Sequence, residues 1–267
     1  MQVVVPVKSF KHAKKRLSAV LTAGQRCDLM KHMLADVLSA VALTPEVEAI
    51  TVVSSDAEVE QWVDKRALSS KTPLRVFDPS AEPLETMLGD EPGLSPINKL
   101  AEAGLCQAYS AAAANLMAQG VSTMLLLPAD IPLVTRADIQ ALVAQHTCPG
   151  VSVAAAGSDG GTNALLVSPP DIIAPAFGDN SCQRHIALAR EQGLEPAVLN
   201  TPGLSLDIDT VEDIHALLAA GRECATLRFL VDSGIAVELA KSAPGGQLQS
   251  TKFRQSGQQN QTNRHVG

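Results

Sequence analysis

The chain has 267 residues, of which 46% are apolar, 18% charged and 3% aromatic, which suits one large folded domain and excludes global disorder or a collagen-like repeat. A formal net charge of -7 makes the surface as a whole repel phosphate backbones, so general nucleic-acid binding is excluded and any anion site must be a local cluster of Lys and Arg. No apolar run reaches the roughly 18 residues that a membrane span needs, and the amino terminus enters a strand-like run rather than a signal peptide, so a cytoplasmic protein is expected.

Short β-branched runs at residues 3–7, 49–53, 74–77, 123–127, 151–156 and 164–167 alternate with segments of helical period, the rhythm of an α/β fold. Between the first two runs, Thr22 and Gln25 have capping-box spacing, and Leu29, Met30, Met33, Leu34, Val37, Leu38 and Val41 then mark one apolar helix face. Residues 78–97, rich in Pro, Glu and Gly, are longer than an ordinary connection and read as either a binding loop or a tolerated insertion. A second helix is expected over 99–119, ending at Gly120; Thr135 with Asp138 caps a third, and Thr210 with Asp213 a fourth.

Strands of nearly continuous apolar character suit a mainly parallel sheet covered by helices on both faces, with ligands at the carboxyl ends of the strands. We expect one domain over residues 1–220, a helical extension over 221–241 and a disordered polar tail over 242–267, in which Lys252, Arg254 and Arg264 leave room for a weak electrostatic role. Cys27, Cys106, Cys148, Cys182 and Cys224 form no C-x-x-C pair and have no His at zinc spacing, so buried reduced thiols are expected. Trp62 and Tyr109 each stand alone and read as packing residues.

The candidate chemistry lies in the loops after strands. The first strand runs into Lys8, Lys11, Lys14, Lys15 and Arg16, five cations within nine positions of an acidic protein, a natural holder for a polyphosphate. The fourth strand ends in Pro128-Ala129-Asp130-Ile131-Pro132, a carboxylate between two prolines that restrict its backbone. Asp207 and Asp209, at period two, share one side of an extended segment before a capped helix. With Asp130 they could form a hard-oxygen site for magnesium bridging nucleotide phosphates, although Asp209 or Thr210 could equally be a helix cap. Ser158-Asp159-Gly160-Gly161-Thr162-Asn163 and Phe177-Gly178-Asp179-Asn180-Ser181 are two backbones open to an anion, the second at the start of a helix that also carries Arg184 and His185. Taken singly, such features are common punctuation, and His185 reads equally as a packed or exposed ring. The sequence has no G-x-G-x-x-G after the first strand, no P-loop and no G-x-S-x-G, which argues against dehydrogenase, P-loop NTPase and α/β-hydrolase functions.

In their order, the segments PVKSFKHAKKRLS, LPADIPL, DGGTNALL, FGDNSCQRH and GLSLDIDTVEDI resemble the guanylyltransferase family that activates a three-carbon phospho-acid for biosynthesis of the deazaflavin coenzyme F-420. The resemblance covers about residues 1–220 and implies a single Rossmann-like nucleotidyltransferase domain, related to molybdenum-cofactor guanylyltransferases and to the nucleotide-diphospho-sugar transferase type. It implies GTP as donor, Mg2+ as cofactor, and 3-phospho-D-glycerate, phosphoenolpyruvate or 2-phospho-L-lactate as acceptor, with hand-off of the product to a downstream transferase. On this chain, Lys8, Lys14, Arg16 and Asn98 would contact the nucleotide, with Lys14, Arg16 and Asp130 in the catalytic role. Asp130, Asp207 and Asp209 would hold the metal, and Thr162, Gly178 and Ser181 the carboxylate of the acid. Lys15 stands where relatives commonly have Ser, and the surroundings of Asn98 are more charged than the usual pattern.

The chemistry suits the inventory, since an anionic phosphate monoester attacks phosphorus without a general base and asks only for positioning and charge neutralisation. Two other functions fit the same residues less well: transfer to molybdopterin or a sugar phosphate, whose enzymes usually open with a glycine-rich loop, and non-catalytic nucleotide binding, which would not need the three carboxylates.

Overall fold

The computed structural model describes residues 1–80, 99–157 and 160–242, so Asn98, most of the 78–97 stretch and the polar tail lie outside the described residues. Among the described residues seven strands are formed: β1 (Gln2–Pro6), β2 (Ala49–Val53), β3 (Leu74–Phe77), β4 (Met124–Leu126), β5 (Gly150–Ala155), β6 (Thr162–Ser168) and β7 (Ala197–Leu199). The helices are α1 (Ala23–Ala42), α2 (Ala57–Ala67), α3 (Lys99–Ala118), α4 (Arg136–Ala144), α5 (Ser181–Glu191), α6 (Pro202–Ser205), α7 (Val211–Ala220), α8 (Ala225–Asp232) and α9 (Ile235–Ser242).

One sheet has the order β3-β2-β1-β4-β6-β5-β7. All its pairings are parallel except those of β6, which runs antiparallel to both β4 and β5. The sheet is thus mainly parallel, as expected. The reversal of β6 follows from chain length, because a parallel crossover needs a dozen or more residues and the β5–β6 connection has too few. Its consequence is functional: β6 starts where β5 ends, so Thr162 and Asn163 lie at the same sheet edge as the loops after β1 and β4. Strand β7 was not expected, since three residues after Pro196 are too short to display a period.

Side chains alternate across the sheet. Val3 and Val5 of β1 enter one core with α1, α2, α4, α7, α8 and α9. Val4 enters the other with Tyr109, Ala112 and Leu116 of α3 and Cys182, Ile186 and Ala189 of α5. Every residue of the expected α1 face is buried, and capping boxes at Thr22, Thr135 and Thr210 start α1, α4 and α7. Trp62 packs edge-on against Phe10 at 5.6 Å, and Tyr109 is buried, both in the packing roles expected.

Helices α8 and α9 pack their Leu230, Ile235 and Leu239 into the first core. Asp36 of α1 accepts hydrogen bonds from the amides of Ala225 (2.7 Å) and Thr226 (2.9 Å) and from the Thr226 hydroxyl (2.6 Å), so a carboxylate meets the positive end of α8. All five cysteines are free, but only Cys182 is buried and Cys148 is exposed, which corrects the expectation of buried thiols. Cys148 lies in the turn before β5, where connections run over the surface.

Candidate active site

The basic loop after β1 is pinned by two fully buried side chains, Phe10 and Leu17. Between them Lys14 takes a left-handed backbone, φ 52° and ψ 44°, which costs a non-glycine residue about 1–2 kcal/mol. That conformation turns its side chain inward, leaving it only 5% exposed. There Lys14 Nζ donates to Asp130 Oδ2 at 2.5 Å and to Asp209 Oδ1 at 2.7 Å. Two charge-assisted hydrogen bonds offset the backbone cost.

The carboxylates reach this point from segments far apart in sequence because the backbone of one loop is stitched to that of the other. The Ile208 amide donates to the Asp130 carbonyl at 3.0 Å, which sets Asp207 and Asp209 on either side of that junction. The exit is held by Asp213, whose carboxylate accepts from the amides of Asp209 (2.9 Å) and Thr210 (2.7 Å). Thr210 is the cap of α7, which leaves the Asp209 side chain free for Lys14.

The charges compensate unequally. Burial alone would lower the Lys14 ammonium, but Asp130 and Asp209 outweigh it and raise its pKa above the ordinary value. For Asp209, burial is the largest influence and pushes upward, but the Lys14 charge, the Lys14 hydrogen bond and the Arg16 charge together outweigh it, giving a lowered pKa. Asp207 is raised, by burial first and then by the neighbouring Asp130 charge, against hydrogen bonds from Asn163 Nδ2 at 3.3 Å and from its own backbone amide. Arg16 approaches Asp209 at 3.6 Å with its side chain 76% exposed, placing it at the lip.

Beside this cluster lies a cavity of about 550 Å³ whose wall includes Pro6, Lys8, Lys14, Ser54, Asp130 and Asp209. Lys8, Lys14, Asp130 and Asp209 of the expected site therefore share one cavity at the carboxyl ends of β1, β2 and β4. Among the described residues no three or more His, Cys, Asp and Glu side chains form a group arranged to hold a metal ion. Asp130 and Asp209 instead hold an ammonium. The donor set is nevertheless hard oxygen of the kind magnesium takes, and the crowded, incompletely neutralised Asp207 is where a further cation would relieve repulsion.

The second part of the expected site is built on β6 and α5. Thr162 and Asn163 are neighbours on a strand and face opposite sides, Asn163 toward Asp207 and Thr162 toward α5. Ser181 Oγ meets Thr162 Oγ1 at 3.0 Å, and the Ser181 amide donates to the Gly178 carbonyl at 3.0 Å. Gly178 has φ 108°, a conformation that favours glycine, so its place in the motif has a backbone reason. The β5–β6 turn is tied to both sides: the Gly157 amide donates to the Ser205 carbonyl at 2.7 Å, and the Cys182 amide to the Gly160 carbonyl at 3.1 Å.

Asn163 and His185 take parts that the sequence did not assign to them. Asn163 was only part of a quoted motif, yet strand alternation would have set it opposite Thr162. His185 is wholly buried, with its ring edge-on to Phe177 at 5.0 Å, and Nδ1 lies 3.0 Å from Thr162 Oγ1. Burial, then the Arg184 charge, push its imidazole down to about 4, so the ring is neutral at pH 7.

Comparison with known proteins agrees with this architecture. The protein-family model described as guanylyl transferase CofC like matches residues 1–72 and 90–252. The chain is 34% identical over 214 residues to a phosphoenolpyruvate guanylyltransferase of Sphaerobacter thermophilus, covering 80% of this chain and 90% of the relative. It is 32% identical over 227 residues to a 2-phospho-L-lactate guanylyltransferase of Methanothermobacter thermautotrophicus, covering 85% and 88%. Among solved structures, a protein of Desulfovibrio desulfuricans G20 described as a proposed nucleotide-diphospho-sugar transferase superimposes with a TM-score of 0.65. It has 18% identity over 89% of this chain and 97% of that one, a likeness of fold. A family-model match over most of the chain, together with relatives above 30% identity along most of their own length, makes this protein a member of the CofC-like guanylyl transferase family of nucleotidyltransferases.

Proposed function

We propose that this protein transfers GMP from GTP to the phosphate of a three-carbon phospho-acid, releasing diphosphate, as a step of coenzyme F-420 biosynthesis. The acceptor would be phosphoenolpyruvate, 2-phospho-L-lactate or 3-phospho-D-glycerate, the first two being the substrates in the names of relatives. The observation that carries the reading is the buried Lys14 clamped by Asp130 and Asp209 on the wall of a cavity large enough for a nucleotide. Lys8, Lys14 and Arg16 would receive the triphosphate, with Asn98 contributing from outside the described residues. Thr162, Gly178 and Ser181 would receive the acid's carboxylate.

An oxygen of the acceptor's phosphate attacks the α-phosphorus of GTP. The new phosphorus–oxygen bond forms as the bond from the α-phosphorus to the bridging oxygen breaks, and diphosphate departs with that electron pair. No proton need be removed from a phosphate already ionised, so the chain's task is alignment and neutralisation. Asp130, Asp207 and Asp209 would hold Mg2+, which would supply additional neutralisation of the leaving group. Lys14 links the two tasks, because a cation that bridges two carboxylates at the cavity wall can turn its charge toward phosphate. The activated diester would then suit a downstream transferase.

The test is turnover of GTP with Mg2+ and each of the three acids in turn, with products identified by mass and diphosphate quantified. Formation of a guanylylated phospho-acid is expected. Turnover with a sugar phosphate or molybdopterin only, or nucleotide binding with no turnover, would overturn the reading. Among the described residues no helix is long and apolar enough to cross a membrane.

A further inference from the structure

The hydrogen bonds around His185 have a fixed sense. The Ala176 amide can only donate, and it reaches His185 Nε2 at 3.1 Å, so that nitrogen carries no hydrogen. A neutral ring must then bear its hydrogen on Nδ1, which lies 3.0 Å from Thr162 Oγ1 and donates to it. Ser181 Oγ is also 3.0 Å from Thr162 Oγ1. Two hydroxyls therefore receive one hydrogen from the ring and share one between themselves, leaving one hydroxyl hydrogen uncommitted within the trio and available to a ligand. This holds whichever of the two donates to the other. With the opposite tautomer, Thr162 would donate inward to Nδ1, and the pair could present a lone pair instead.

We propose that His185 is a positioning residue that holds the Thr162–Ser181 hydroxyl pair in a donating orientation, so that this subsite selects an oxyanion over a ligand group that needs an acceptor. The inference rests on the reading of Thr162 and Ser181 as the subsite for the carboxylate of a phospho-acid. A carboxylate accepts and never donates, so a hydroxyl that can turn either way loses part of its advantage for that group. His185 touches no ligand in this scheme. It acts through Thr162, and its burial on the inner face of α5 keeps water from supplying the same hydrogen. Its anchor, the Ala176 amide, belongs to the segment leading into the turn at Gly178, so one ring ties the hydroxyl pair to the loop that shapes the subsite.

Two amide substitutions separate orientation from packing. In His185→Asn the amide nitrogen falls near the place of Nδ1, so Thr162 keeps its donor while the Ala176 amide loses its acceptor. In His185→Gln the amide reaches the place of Nε2, so Ala176 keeps its acceptor while Thr162 loses its donor. We expect His185→Gln to raise KM for the phospho-acid about tenfold, with KM for GTP changed less than about twofold, the loss expected for one directed hydrogen bond to a charged group. His185→Asn should keep KM for the acid near that of the wild type while lowering Tm.

Equal effects of the two variants on KM for the acid, or an effect that follows Tm, would overturn the proposal. The wild-type protein supplies an independent reading that needs no variant to fold. Nitrogen-15 NMR of the uniformly labelled chain should find the His185 hydrogen on Nδ1 at pH 7, and a hydrogen on Nε2 refutes the scheme outright. If the wild type turns over none of the phospho-acids, the guanylyltransferase reading falls and takes this inference with it. If it turns one over and these measurements fail, only the positioning role falls.

Discussion

Replacing Lys14 with Met preserves the buried stem and removes the ammonium, leaving Asp130 and Asp209 without the cation they share. The Lys14 side chain is 5% exposed, Asp130 24% and Asp209 42%, so the first contact is largely withdrawn from water and the second is partly screened. Removing one member of a buried ion pair costs about 3–5 kcal/mol, chiefly because it strands the other charge. Screening at Asp209 brings the expectation down to about 2–4 kcal/mol at pH 7. Lys14 is raised above 10.5 and Asp209 lowered below 3.8, so the pair contributes between those limits. The contribution is lost as pH rises through the folded Lys14 value or falls through the folded Asp209 value. The sharper test is a reversal of sign. Asp130→Asn should destabilise the wild type by about 1 kcal/mol or more, because Lys14 loses a partner, yet it should stabilise Lys14→Met by removing a stranded charge. Urea unfolding at pH 7 of the four proteins, with m compared throughout, measures both effects. If Lys14→Met lies within about 0.5 kcal/mol of the wild type, or Asp130→Asn has the same sign in both backgrounds, the clamp is not the electrostatic centre of the site.

Burial and two like charges disfavour the ionised form of Asp207 in the fold, so Asp207→Asn should raise the urea midpoint at pH 7 while lowering GMP transfer at least about a hundredfold; a stability loss alongside retained turnover would contradict this. His185 should make the fold sensitive to acid. The unfolded ring binds a proton near 6.5 and the folded one near 4, so stability declines as pH falls through that window and levels off below it, by about 3 kcal/mol in total. The pH dependence of unfolding of His185→Asn should lack that increment, and parallel curves for the two proteins would refute it. Asp36→Ala removes three hydrogen bonds from the start of α8 and should cost about 2–3 kcal/mol, read as a lowered Tm, with hydrogen exchange increased first in α8. Uniform exchange would mean that α8 is held by its apolar contacts alone.

The polypeptide by itself determined the elements and the chemical repertoire. Periodicity marked the α1 face, capping boxes marked three helix starts, and the loops after strands carried the cations and carboxylates, because local sterics and the parting of apolar from polar surface act over a few residues at a time. Tertiary structure alone decided which charges meet. That Lys14 lies between Asp130 and Asp209 depends on a left-handed residue and on the Ile208–Asp130 hydrogen bond, contacts across 116 and 195 positions that no local pattern encodes. The contacts of His185 belong to the same class, since only the fold brings the Ala176 amide to one ring nitrogen and Thr162 to the other. The direction of β6 does not: it follows from a connection too short to cross over, a spacing the sequence already contains.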